Sequence, residues 1–325
     1  MAGELATAIS TAAVTNATPT AGIPTAAVPE AIVAVEGLVK DYGSTHAVRG
    51  ISFAVRRNEI LGFLGPNGAG KTTTIRCLLD LLRPTAGRVE VFGLDARRDG
   101  VAIRARLTYL PGELRLPERQ SAAELVAGLG RLRGGFDPVR RDELAARLEL
   151  DLSRPMRNLS SGNRRKVALL LAFLWPVELL VLDEPTSGLD PLMQHEFLRL
   201  VREARARGAT VLLSSHVLSE VQRAADRVVV LRSGLVVADG TVDELRRRVS
   251  QRVEVWFAGP SPAAALDAVP GLADRESEGR RFTATLTGPI GPLLRALAAH
   301  EVESMLVEEP DLEEAVLGLY EEAAS

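Results

Sequence analysis

An octapeptide, Gly65-Pro66-Asn67-Gly68-Ala69-Gly70-Lys71-Thr72, constrains this chain more than any other stretch. It fits the pattern G-x-x-x-x-G-K-[ST]. The apolar run Ile60-Leu61-Gly62-Phe63-Leu64 before it reads as a buried strand. Thr73-Thr74-Ile75-Arg76-Cys77-Leu78-Leu79 after it reads as the start of a helix. Strand, glycine-rich loop and helix in that order are the context in which the pattern means a phosphate cradle. The glycines let backbone N–H groups turn onto an anion, and the helix N-terminus adds the positive end of its dipole. Lys71 is expected to bring its ammonium to the β- and γ-phosphates, and Thr72 to offer its hydroxyl to Mg²⁺. Only three lysines, Lys40, Lys71 and Lys166, occur in 325 residues, so a chance match is uncommon.

Two further patterns follow. In Leu179-Leu180-Val181-Leu182-Asp183-Glu184 an apolar strand ends in adjacent carboxylates, where ligands of α/β sheets sit. Alone it also reads as a solvated strand end. Beside a phosphate cradle, Asp183 is expected to hold Mg²⁺ through water and Glu184 to polarise an attacking water as general base. In Leu159-Ser160-Ser161-Gly162-Asn163-Arg164-Arg165-Lys166, Ser160 is a good N-cap for a helix running on through Val167. Taken alone, that is only a helix start.

In this order the motifs resemble the nucleotide-binding subunits of ATP-binding cassette (ABC) transporters. Gly65–Thr72 is similar to Walker A, Leu179–Glu184 to Walker B with the catalytic glutamate, and Leu159–Asn163 to the LSGGQ signature. Ser187-Gly188-Leu189-Asp190 resembles the D-loop, His216 the switch histidine, and Tyr42 the aromatic that stacks on adenine. The resemblance covers about residues 31–245. It implies a P-loop NTPase (RecA-like) α/β cassette with antiparallel β and helical subdomains. It implies Mg·ATP held by Gly65, Pro66, Asn67, Gly68, Ala69, Gly70, Lys71, Thr72 and Thr73, with catalysis by Lys71, Glu184 and His216. The family works as two cassettes closed head to tail. Ser160, Ser161 and Gly162 are then expected to meet γ-phosphate across the interface, and Asp190 to link the two sites. Length, a single cassette and the ending Glu309-Pro310-Asp311-Leu312-Glu313-Glu314 resemble drug- and antibiotic-exporter ATPases of the ABC-2, daunorubicin-resistance-like kind.

Two departures stand out. The family has glutamine in the loop after the strand near Tyr109-Leu110-Pro111; here Gly112-Glu113 follows, and Glu113 is the candidate substitute. The signature has Ser161 for glycine and Asn163 for glutamine, both small and polar.

Organisation follows composition. Residues 1–30, rich in Ala, Thr and Pro, are expected to be a disordered tail. Residues 31–249 form the cassette, with a helical subdomain at about 112–165, and 250–325 a small α+β domain of split-βαβ type. A net charge of −3 gives no electrostatic case for nucleic acid. One cysteine excludes an intrachain disulfide, and Cys77 reads as a buried apolar residue. The histidines show no metal-ligand spacing. No run reaches the roughly 20 apolar residues of a membrane span, and no Lys or Arg precedes Lys40. The expectation is a cytoplasmic homodimeric ATPase, peripheral on the inner face of the membrane through a separate permease. The rival readings are an ABC ATPase acting on ribosome or DNA, and an ATP-binding switch without turnover.

Overall fold

A computed structural model describes residues 31–247 and 251–308. Its short apolar runs resolve into three sheets. The central sheet contains β3 (Ile60–Leu64), β6 (Leu107–Leu110), β7 (Leu179–Asp183), β8 (Thr210–Ser215), β9 (Arg227–Arg232) and β10 (Leu235–Thr241). Their order is β10-β9-β3-β8-β7-β6, parallel except at the β10 edge. Every residue of β3 and β7 is buried. That is why these strands read as unbroken apolar runs rather than alternating ones.

An antiparallel sheet, β2-β1-β4-β5, packs against one face of this layer. It comprises β1 (Ala31–Tyr42), β2 (Thr45–Arg56), β4 (Ala86–Val91) and the two-residue β5 (Leu94–Asp95). Strands β1 and β2 are longer than the runs Ile32–Val39 and Ile51–Val55 predict. They continue as a bulged hairpin to a turn at Gly43-Ser44, where polar residues face solvent on both sides. Between the two sheets lies α1 (Lys71–Leu78), which contributes Ile75, Cys77 and Leu78 to their shared core. Cys77 is 1 % exposed, and burial raises its thiol pKa.

After α2 (Gly100–Ala105) come α3 (Ala122–Arg133), α4 (Pro138–Arg147) and α5 (Ser161–Leu174). Local chemistry sets their ends. Ser121 and Glu124 form a capping box, Gly134 ends α3 in the left-handed region, and Asp137-Pro138 opens α4. Leu144, Leu148, Leu169 and Phe173 share a core with Leu182 of β7 and with Phe197 and Leu200 of α6 (Pro191–Ala206). Two shorter helices complete this part, α7 (Leu218–Ala224) and α8 (Val242–Arg247).

The third sheet comprises β11 (Gln251–Phe257), β12 (Leu272–Glu278), β13 (Arg281–Leu286) and β14 (Val302–Glu308), all antiparallel in the order β12-β13-β11-β14. Helices α9 (Ala263–Leu266) and α10 (Gly291–Leu297) connect them, which gives the strand order of a split βαβ unit. Among the described residues, its core, including Val255, Phe282, Leu286 and Leu293, draws on none before Val253. The expected tail at 1–30 lies outside the described residues, and so does Asp311–Tyr320, which the sequence reads as helical. Among the described residues, no helix is long and apolar enough to cross a membrane.

Candidate active site

The site forms where β3, β7 and β8 end side by side. Past β3 the chain turns through residues 65–70. Gly70 has a φ of 104°, and a Cβ there would lie 2.6 Å from the Ala47 carbonyl oxygen. Any side chain would therefore be strained and would push the loop off its neighbour. Helix α1 starts at Lys71 without a side-chain cap, leaving first-turn amides available to an anion. Lys71 is 5 % exposed and folds back under the loop. Its Nζ donates to the carbonyls of Gly65 at 2.6 Å and Pro66 at 3.2 Å, and pairs with Glu184 Oε1 at 3.1 Å.

Asp183 ends β7 and lies opposite Ser214 of β8. It is fully buried. Oδ1 accepts from Ser214 Oγ at 2.5 Å and from Thr72 Oγ1 at 3.2 Å, while buried Oδ2 has no donor. An unpartnered carboxylate oxygen beside a threonine hydroxyl is a hard-oxygen donor set, which suits Mg²⁺. Glu184 follows with φ at 49°, left-handed backbone that a non-glycine residue adopts at a cost of about 1–3 kcal/mol. Its N–H donates to Ser214 O at 3.1 Å, and its Oε2 lies 2.5 Å from His216 Nδ1. One carboxylate thus bridges the Lys71 ammonium and the His216 ring.

Thr72, Asp183, Glu184 and His216, with Asn67, Arg76, Glu113 and Ser187, line a cleft of about 290 Å³. Gly112 also lines it. A Cβ at 112 would meet Asp183 O and Oδ2 at 3.5 Å, so the peptide itself lies against the carboxylate. Arg165, 6 % exposed on α5, holds that peptide by donating to the carbonyls of Pro111 at 3.0 Å and Gly112 at 2.7 Å. Tyr109, just upstream, has its phenol pushed up to about 12, by burial first and then by the charge of Asp183.

Other candidates lie elsewhere. Tyr42 is 46 % exposed at the β1–β2 turn, with Lys40 Nζ 4.9 Å from its ring centroid. Ser160 caps α5 through Asn163 N–H, and Asp190 caps α6 through Met193 N–H. Ser161 is exposed at the start of α5. A Cβ on Gly162 would come 3.1 Å from Gly188 O, which puts the start of α5 beside the loop that precedes α6. None of these five lines the cleft. Residue reading missed Arg76, which faces the cleft, Arg165, and the Ser214 hydroxyl that donates to Asp183. A hydroxyl at a strand end was the available signal for Ser214, but Arg165 within Arg164-Arg165-Lys166 reads as one more surface charge.

A family profile described as ABC transporter matches residues 48–187. The chain is 38 % identical over 301 residues to the daunorubicin resistance ATP-binding protein DrrA3 of Streptomyces coeruleorubidus, covering 88 % of this chain and 95 % of that one. This chain belongs to the ABC transporter ATP-binding family. It is an ATPase subunit of the drug, antibiotic and Nod factor exporter type. It is also 37 % identical to the Nod factor export ATP-binding protein I of Ralstonia nicotianae, over 66 % of this chain and 68 % of that one. Among solved structures it is similar to an ATP-binding subunit of an ABC transporter, at 32 % identity and a TM-score of 0.61, covering 66 % of this chain and 92 % of the other.

Proposed function

We propose that this ATPase hydrolyses Mg·ATP at the seam of a head-to-tail pair of identical chains. Its cycle drives export of a drug or another small hydrophobic compound through a separate membrane permease. The carrying observation is the convergence of Lys71, Asp183, Glu184 and His216 at neighbouring strand ends. The protein then works at the inner face of the membrane, held there by the permease. The likeness to a Nod factor export ATP-binding protein supports that direction of transport.

The chain's own groups divide the work. The backbone N–H groups of the 65–73 segment, Pro66 excepted, and the Lys71 ammonium bind the phosphates, and the Tyr42 ring, half-exposed, stacks on adenine. As γ-phosphate arrives, Lys71 exchanges its carboxylate and carbonyl partners for phosphate oxygens. Glu184 is thereby freed to orient water as general base, and His216 donates to γ-phosphate. Thr72 Oγ1 and Asp183 Oδ2 would hold Mg²⁺, the latter through water, with Glu113 replacing the family's glutamine at the rim. A cation held there would supply charge stabilisation of the phosphoryl oxygens. Ser160, Ser161 and Gly162 stand apart from the cleft of their own chain, which suits contact with the nucleotide of a second copy. Asp190, next to that helix start, relays between the two sites.

The deciding experiment compares steady-state ATP turnover and ATP retention in wild type, Lys71→Ala and Glu184→Gln. Lys71→Ala is expected to lose both. Glu184→Gln is expected to keep ATP and lose about 100-fold or more in turnover. Equal turnover in wild type and Glu184→Gln would remove the hydrolytic role and favour a binding switch.

A further inference from the structure

Glu220, in the first turn of α7, is a carboxylate only 8 % exposed. Its hydrogen-bond partners are two neutral hydroxyls. A single oxygen, Oε2, accepts from Thr186 Oγ1 at 2.7 Å and from Ser215 Oγ at 3.0 Å. Thr186 and Ser215 are themselves buried, at 5 % and 1 % exposure. Burying a carboxylate is costly, and neutral hydroxyls offset only part of the lost hydration. Well-packed apolar side chains would fill the same volume at lower cost. Core filling alone therefore does not account for a carboxylate here.

The positions of the two hydroxyls do. Thr186 lies two residues past Glu184, on the segment leaving β7. Ser215 immediately precedes His216 at the end of β8. Glu220 therefore ties together the backbone segments that carry the carboxylate and the imidazole, from behind the cleft. Ser215 Oγ also accepts the Val217 N–H at 2.9 Å, which fixes the turn around His216. The support behind Glu220 is stiff. Its neighbour Val221 packs on Gly62 of β3 so closely that a Cβ there would lie 2.3 Å from Val221 Cγ1.

We propose that Glu220 is a positioning residue for ATP hydrolysis. It keeps the Glu184 and His216 segments at a fixed separation, so that both side chains hold a productive geometry once Lys71 has transferred to the phosphate. This rests on the roles given above to Glu184 and His216. A displacement of about 1 Å at a reacting group is enough to cost on the order of 100-fold in rate.

The test measures steady-state ATP turnover and binding of a non-hydrolysable ATP analogue on the full chain. The variants are Glu220→Ala, Glu220→Gln and Thr186→Val, with Glu220→Ala also made in the Glu184→Gln background. Glu220→Ala is expected to lower kcat about 10- to 100-fold, with analogue affinity within about twofold of wild type. Glu220→Gln, whose amide oxygen still accepts both hydroxyls, is expected to recover to within about threefold. Thr186→Val should fall between them. In the Glu184→Gln background, Glu220→Ala should add less than about threefold, because the group it positions is gone. The proposal is overturned if analogue affinity falls as far as kcat, if Glu220→Gln is as impaired as Glu220→Ala, or if the loss is equal in both backgrounds. Thr186→Val preserves shape and decides the matter if Glu220→Ala does not fold; unchanged kcat there also overturns it. Wild-type turnover by Glu184→Gln alone would instead remove the hydrolytic assignment beneath the proposal.

Discussion

Single residues decide what this cleft can bind. Asp183 is buried with one oxygen paired and the other bare, so its carboxylate is ready for a cation or its water. Gly112 brings no side chain to that point, and exposed Glu113 is the next group along the loop. Glu113→Ala is therefore expected to raise the Mg²⁺ concentration for half-maximal ATPase several-fold, on the order of 3–10, with ATP affinity unchanged; a Mg²⁺ titration of turnover checks it. Tyr109 gives a pH signature. Its folded value of about 12 stands above the ordinary 10.0. The fold thus favours the neutral phenol, and that contribution is whole below pH 10 and is lost as pH rises from 10 through 12. Thermal melts over that range should show an alkaline fall that is shallower in Tyr109→Phe. Residues at strand ends and helix starts were legible because their neighbours announce them: glycines before Lys71, apolar residues before Asp183, a serine before the helix at Ser161. Arg165 and Glu220 were not. Arg165 takes its meaning from carbonyls 53 and 54 positions away, and Glu220 from Thr186, 34 positions away, as well as from nearby Ser215.

Among whole elements, α4 and α6 meet at a cluster of charges. Arg147 Nε donates to Glu196 at 2.5 Å, and its terminal nitrogens donate to both oxygens of Glu203 at 2.7 and 2.8 Å and to Glu143 at 3.2 Å. The Arg147 hydrogen bond holds the Glu203 carboxyl below its ordinary 4.5, as Arg140 and then Arg147 do for Glu143. A depressed carboxyl stabilises the fold above its unfolded value. That share is lost as pH falls below about 4.5. Arg147→Ala should lower unfolding free energy by about 1–2 kcal/mol at neutral pH, discounted for partial exposure, and should flatten the acid limb; urea melts at pH 7 and pH 4 check both. The break between α3 and α4 was readable because Gly134 and Pro138 act locally, whereas the caps at Ser121 and Asp137 show only in the structure. Strand β12 was missed because Leu272-Ala273-Asp274-Arg275-Glu276-Ser277-Glu278 lies at a sheet edge, with Leu272 its only buried residue. A strand held by backbone pairing alone carries no apolar alternation to find.

The whole molecule was legible in outline because its central sheet is parallel and buried, and such sheets leave unbroken apolar runs. The antiparallel hairpin was only half seen, since it extends past its core into solvent. The split-βαβ sheet shows in the sequence as the alternation over 252–258, the strand-like runs 281–287 and 303–308 and the helical runs 262–269 and 292–300. The inward residues of β11 and β13 include Val253, Val255, Phe282 and Ala284. At this scale the prediction concerns pairing of chains. Glu184→Gln with Mg·ATP should elute as a dimer in size-exclusion chromatography with light scattering. Adding Ser160→Arg, which sets a bulky cation on the tip of α5, should return it to a monomer while ATP affinity stays within about threefold. A Ser160→Arg protein that still dimerises on ATP would place the second copy elsewhere.

The carboxylate between Lys71 and His216 also governs what the idle enzyme ignores. With Lys71 paired to Glu184 at 3.1 Å, an anion that enters the cleft has to compete with a carboxylate for that ammonium. Orthophosphate, free in any cell, would have to break that pairing without the adhesion that a nucleobase, a ribose and two further phosphates bring. Millimolar phosphate should therefore leave the KM for ATP nearly unmoved, which a phosphate titration of steady-state turnover checks.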